Sequence, residues 1–232
     1  MKRLVLFDID ETMISSNGAG RKAMARALKE SHDIPEEATR ISMSGKTDPQ
    51  IMREIFAAQG LDFGEEEAAV LKINQLIDLY LSYLDHELST SQTMIMHEGV
   101  VEILDRLRAD SQCYLGLLTG NVEIGARKKL HCFDLNHYFE IGAYGSDSAN
   151  RLDLPQFAVS RALDHFGNQF APEEVIIVGD SVNDIACAHG YGAQVIAVNT
   201  GKTPWQDLAE RNPQHLFKSL ADTDAVYKAI FN

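Results

Sequence analysis

The sequence predicts an α/β protein, a doubly wound and mostly parallel sheet interrupted by an inserted all-helical cap. Three observations predict it. Short apolar runs alternate with amphipathic segments over most of the chain, which is the pattern of strand-helix-strand units. Residues 18–88 carry helical periodicity and no strand signal. Carboxylates and turn residues fall just past the predicted strands, where an open sheet of this class binds its ligand.

The first seven residues read as a strand, apolar from Leu4, that runs directly into Asp8-Ile9-Asp10-Glu11-Thr12. Asp is a poor strand residue. With period-2 alternation, Asp8 and Asp10 share a face. Two carboxylates on one face repel unless a cation joins them or one is protonated. The motif therefore points to a metal site, to a nucleophile with its acid/base partner, or to both.

Ser15-Ser16-Asn17-Gly18-Ala19-Gly20 is polar and glycine-bearing, suited to a hinge. Helices follow over residues 21–30 and from Asp48-Pro49, read as N-cap and first helical position, to a stop at Gly60. A long amphipathic helix spans residues 65–88, with acids at its start. Strand-helix alternation then resumes, with helices at 100–109, to Lys129, at 154–166 and at 184–189. The strands between them lie at 113–118, near 140–143, at 175–178 and, as the last one, at 194–198. The division expected is a core of residues 1–16 and 90–232 and a cap of residues 17–89, hinged near residues 15–20 and 89–91.

At 232 residues the chain suits one domain, or one domain with an insert. The net charge of -13 argues against non-specific binding to nucleic acid or an anionic membrane. No apolar run reaches the length of a membrane span, and the N-terminal apolar stretch is too short for a signal peptide. Cys113, Cys132 and Cys187 are scattered and odd in number, which suits reduced thiols and a cytoplasmic location.

Four signals share one kind of position, the carboxyl end of a strand or the amino end of a helix. They are Asp8-Ile9-Asp10-Glu11-Thr12, then Thr119-Gly120-Asn121, then Arg151 ahead of Leu154-Pro155, then Gly179-Asp180-Ser181-Val182-Asn183-Asp184. Each has a plainer reading alone. An acidic turn, a helix N-cap at Asp180 and a solvated arginine are all common. Four in order are a stronger signal than any one. In this order they resemble the haloacid dehalogenase-like superfamily, across the whole chain. Gly45-Lys46-Thr47-Asp48 is similar to a cap loop of its phosphoglycolate phosphatase and phosphoglucomutase branch.

The resemblance implies a Rossmann-like core and a magnesium-dependent phosphatase acting on a small phosphorylated metabolite, as a monomer or homodimer. Asp8 would be nucleophile and metal ligand, giving an aspartyl-phosphate. Asp10 would exchange protons with the leaving oxygen and the hydrolytic water, its carbonyl contributing to the Mg2+ site. Thr119, Gly120 and Asn121 would hold phosphate, Arg151 would neutralise charge, and Asp180 and Asp184 would complete the metal site. Lys46 would reach the substrate from the cap. Two positions depart from the branch: Glu11 stands where Gly is commoner, and Arg151 where Lys is. His97, His131 and His189 have no partner at ligand spacing and read as structural, as does Trp205.

Other functions remain open at this point. A phosphomutase would keep all four motifs. A dehalogenase has no use for Asp10 with Asp180 and Asp184, and a phosphonate-cleaving relative needs a cap lysine, for which Lys46 is the candidate. A non-catalytic receiver-like phosphate binder is about half this length.

Overall fold

The computed structural model describes residues 2–232, the side chain of Glu66 excepted. Met1, at the head of the first predicted strand, lies outside the described residues. Strand β1 (Arg3–Phe7) is followed by a short β2 (Ile14–Ser15) and by helices α1 (Ala19–His32), α2 (Asp48–Ala58) and α3 (Glu66–Thr90). Then come β3 (Ile95–Met96), α4 (Val100–Ala109), β4 (Cys113–Leu118), α5 (Glu123–His131), β5 (Ile141–Ala143) and α6 (Leu154–Phe166). The chain closes with β6 (Val175–Gly179), α7 (Val182–Tyr191), β7 (Gln194–Val198), α8 (Trp205–Ala209), β8 (His215–Phe217) and α9 (Thr223–Phe231).

Six strands form one sheet in the order β5-β4-β1-β6-β7-β8, and every pairing in it is parallel. A buried parallel sheet needs apolar residues on both faces. On β1, Val5 and Phe7 enter one core with α4, α5 and α9, while Leu4 and Leu6 enter the other with α6, α7 and α8. Ile176 and Val178 against Val175 and Ile177 divide in the same way on β6.

Strand β1 lies between β4 and β6, with Phe7 level with both Leu117 and Val178. The order reverses at this point, so the crevice past the carboxyl ends of these three strands is the expected binding position.

Helices α1, α2 and α3 build a third apolar cluster, centred on residues such as Leu28, Met52, Ile55, Tyr80 and Leu84, and Val122 at the head of α5 joins it. Between β1 and this cluster, β2 pairs antiparallel with β3. This small ribbon was not expected from the sequence, because two residues are too few to show a period. The last strand is not 194–198 as expected but β8, which pairs with β7 through Ile196 and His215. Only three residues long and half-buried, it carries a weak pattern. Trp205, expected to pack inside, is 42% exposed. No helix among the described residues is long and apolar enough to cross a membrane.

Candidate active site

Strand β1 stops at Phe7 because Asp8 leaves the ladder, though its N–H still bonds Val178 O at 2.9 Å. The chain then folds back on itself, with the N–H groups of Met13 and Ile14 both donating to Ile9 O. Ile9 drops into the core, while Asp8 and Asp10 line the same cavity of about 420 Å³. Glu11 takes a left-handed conformation (φ 61°), which explains why glycine suits this position in the branch it resembles. Its carboxylate accepts from Ser15 Oγ at 2.9 Å and stands 4.0 Å from His97 Nε2. His97 is therefore not without an acidic neighbour, as its sequence spacing suggested. Proximity across the β2–β3 ribbon supplies one.

Asp8, Asp180 and Asp184 converge, each offering an oxygen within 4.8 Å of the others. All three are buried. Asp184 sits in the first turn of α7, whose N-cap is Ser181, and its Oδ2 accepts from Ser181 N at 3.0 Å and Ser181 Oγ at 2.6 Å. Its Oδ1 accepts from Arg151 Nη2 at 2.5 Å. Arg151 also reaches Leu118 O at 3.2 Å and Asp8 Oδ1 at 3.5 Å, and it is 5% exposed rather than a solvated surface charge. Asp180 accepts a long bond, 3.4 Å, from Thr12 Oγ1, and its Oδ2 is buried with no partner. Gly201 leaves room for that oxygen, since a Cβ there would lie 1.8 Å from Asp180 Oδ2.

These surroundings disfavour three negative charges. Burial, with the charge of Asp184 and against that of Arg151, pushes Asp8 up to about 7. Burial, with Asp184, Asp8 and Glu11, pushes Asp180 up to about 9. One arginine does not balance the cluster. An orphaned carboxylate oxygen beside two further hard oxygen donors fits a divalent cation such as magnesium. All three have oxygens to offer it, those of Asp184 while also accepting from Arg151 and Ser181.

Opposite lies the turn after β4. Thr119 and Asn121 are buried, and Asn121 Nδ2 donates to Thr119 Oγ1 at 2.8 Å and to Asp10 Oδ2 at 2.7 Å. Gly120 is needed for close approach, since a Cβ would lie 2.0 Å from Lys46 O. Its carbonyl accepts Asp48 N at 2.8 Å, so the loop ahead of α2 rests directly on this turn. The expected N-cap of α2 is corrected: Thr47 caps it, bonding Gln50 N at 3.2 Å. Asp48, one residue inside, instead accepts Val122 N at 3.0 Å. Lys46 lines the cavity from the loop ahead of α2, but its ammonium is bonded to Glu54 of that helix.

Lys129 was missed from the sequence. It lies on the buried stripe of α5 with Ala126 and Leu130, is 4% exposed, and bonds both oxygens of Asp10 at 2.8 and 2.6 Å. A lysine at a buried helical position was the available signal, masked because a cation in a last turn also complements the helix dipole.

A family model for haloacid dehalogenase-like hydrolases matches residues 5–198. The chain belongs to that family. A phosphoglycolate phosphatase of Haemophilus influenzae is 24% identical over 94% of this chain and 95% of its own length. The pyrophosphatase PpaX of Bacillus pumilus is 24% identical over 97% and 96%. Among solved structures, CbbY from Rhodobacter sphaeroides in complex with phosphate superposes with a TM-score of 0.69 at 17% identity, covering 96% of each chain. The chain is thus a hydrolase enzyme of the family's phosphatase branch, with its fold.

Proposed function

We propose that this hydrolase is a magnesium-dependent phosphatase that cleaves a small phosphate monoester through an aspartyl-phosphate on Asp8. The observation that carries the reading is the buried Asp8–Asp180–Asp184 cluster with the unpartnered Asp180 Oδ2, facing Asp10 and Thr119 across one cavity.

Asp8 and Asp180 would hold the cation, with Asp184 behind them and the carbonyl of Asp10 as a further donor. Bound there, magnesium neutralises the carboxylates and the phosphate and orients the ester. Asp8 attacks phosphorus, and Asp10 gives its proton to the leaving oxygen, then takes one from water. Thr119, with N–H groups of the Gly120-Asn121 turn, holds phosphate oxygens as charge develops. Arg151 counters the charge of Asp8 and fixes Asp184.

We read residues 17–89 as a cap over a core of residues 1–16 and 90–232. Its helices build an apolar cluster that Val122 of the core joins, and Asp48, Thr47 and Ser44 make directed bonds to the core at Val122 N, Ala149 O and Asn183 Nδ2. A seated cap excludes water from phosphoryl transfer. The pairing of Lys46 with Glu54 weighs against a Schiff-base lysine there, and so against the phosphonate-cleaving alternative.

The test is release of inorganic phosphate from a panel of monoesters, with and without magnesium, using phosphoglycolate, sugar phosphates, nucleotides and an aryl phosphate, with pyrophosphate alongside. Metal-dependent turnover of at least one monoester supports the reading. No turnover of any, or turnover that survives thorough chelation, rejects it. Isomerised phosphate esters in place of free phosphate would make the enzyme a mutase.

A further inference from the structure

Lys129 has a role that none of the four motifs supplies. Its ammonium has three N–H groups. Around it stand three acceptors at bonding distance: Asp10 Oδ1 at 2.8 Å, Asp10 Oδ2 at 2.6 Å and Asn121 Oδ1 at 2.6 Å. Asn121 uses its other end on Asp10 Oδ2 at 2.7 Å and Thr119 Oγ1 at 2.8 Å. One connected network thus ties the Asp10 carboxylate to the hydroxyl that faces the phosphate position. On the far side the ammonium is walled by cap residues. A methyl group on Gly20 of α1 would lie 3.5 Å from Lys129 Nζ and 3.7 Å from the Tyr80 hydroxyl of α3. The buried carboxylate of Asp48, on α2, also interacts with Lys129.

We propose that Lys129 is a positioning residue for Asp10, holding its carboxylate at a fixed angle beside Asn121 and Thr119 while the cap is seated. The proposal rests on the reading of Asp10 as the proton-transfer group. An aspartate on a loop rotates about two side-chain bonds, and proton transfer requires the oxygen within hydrogen-bond reach of the reacting group. Bonds to both oxygens remove that freedom. Burial beneath the cap strengthens them, because water does not compete for the ammonium.

The experiment compares wild type with Lys129→Met, which keeps length and removes the donors. Single-turnover and steady-state rates are measured with magnesium on an aryl phosphate and on an alkyl phosphate, alongside thermal melting. The expected result is a folded variant with kcat on the alkyl ester reduced about 10- to 100-fold. KM should stay within about threefold, since uniform substrate binding is untouched. The aryl ester, whose leaving group needs no proton, should keep a fast first step followed by slowed turnover. Unchanged kcat overturns the proposal. So does a raised KM alone, which would make Lys129 a substrate-binding cation, or an equal loss on both first steps, which would make it structural. Should the methionine variant fail to fold, Lys129→Gln is read by the same criteria. A wild type inert to every monoester rejects the phosphatase reading and this proposal with it, whereas an active wild type beside an unimpaired variant rejects this proposal alone.

Discussion

The carboxylate of Asp48, in the first turn of α2, accepts the backbone N–H of Val122 at the head of α5, 3.0 Å away. Val122 heads a helix of the sheet layer, yet its side chain packs into the apolar cluster of α1, α2 and α3. This bond, with Asp48 N to Gly120 O at 2.8 Å, pins the helical unit over the crevice. Burial pushes the Asp48 carboxyl up to about 6, against the pull of Lys129 and Val122 N–H.

That shift predicts a pH-dependent stability difference. The folded-state value lies above the unfolded one, so folding favours the protonated form. Wild-type stability from this group is fully present below about pH 4 and is lost as pH rises to about 6. Asp48→Asn keeps an acceptor for Val122 N–H and carries no such titration. Its stability relative to wild type should therefore rise across that window, by at most about 3 kcal/mol. Urea unfolding of both proteins between pH 4 and 7.5 measures the gap, and a gap flat with pH refutes the argument.

Asp8→Asn should remove turnover, to below about 1% of wild type, because an amide does not form the acyl phosphate. It should not cost stability without metal, since the replacement is neutral where the native carboxyl is held up to about 7 by burial and by Asp184. Substantial residual hydrolysis would displace Asp8 as nucleophile. A marked fall in melting temperature would show that Arg151 needs its charge.

Magnesium binding should expel protons. Without a cation, Asp180 is held up to about 9, so at pH 7 it keeps a proton that a ligand carboxylate must lose. Affinity should strengthen as pH rises from about 6.5 to 8.5, by up to about tenfold per pH unit. Calorimetry in two buffers of different ionisation enthalpy reads the proton release directly. Affinity independent of pH, with no release, would count against Asp180 as a ligand.

Gly201→Ala is a compact probe of the same site. The added methyl would fall 1.8 Å from Asp180 Oδ2 and 3.2 Å from Glu11 Cβ, so the carboxylate must turn away. The magnesium concentration for half-maximal activity should rise about tenfold or more, as it does when a ligand's support is disturbed. An unchanged magnesium titration in a folded variant would mean that Asp180 Oδ2 does not face the metal.

Sequence alone was enough where neighbours in the chain set the chemistry. The apolar runs of β1, β4, β6 and β7 each end at a residue the strand ladder tolerates poorly or needs for a turn. Asp8, Thr119 and Asp180 thereby mark the mouth of the sheet from local sequence alone. The block of helices between β1 and α4 was legible for the same reason, since amphipathic periodicity is local. The short pieces were not. The β2–β3 ribbon and β8 are held by pairing across the fold, and two or three residues carry no period.

What only the tertiary structure decided is who meets whom. Arg151, distant in sequence from Asp8 and Asp184, is placed between them because β1 sits at the centre of the sheet with β4 and β6 beside it. Lys129 reads as an ordinary last-turn lysine until α5 is laid beside the Thr119-Gly120-Asn121 turn, with its buried stripe facing Asp10. Glu54 claims Lys46, and Val122 claims Asp48, through contacts that no spacing announces. The reason is physical. Residue type and period report what a segment prefers locally, whereas the partner of a buried charge is set by the packing of elements far apart in the chain.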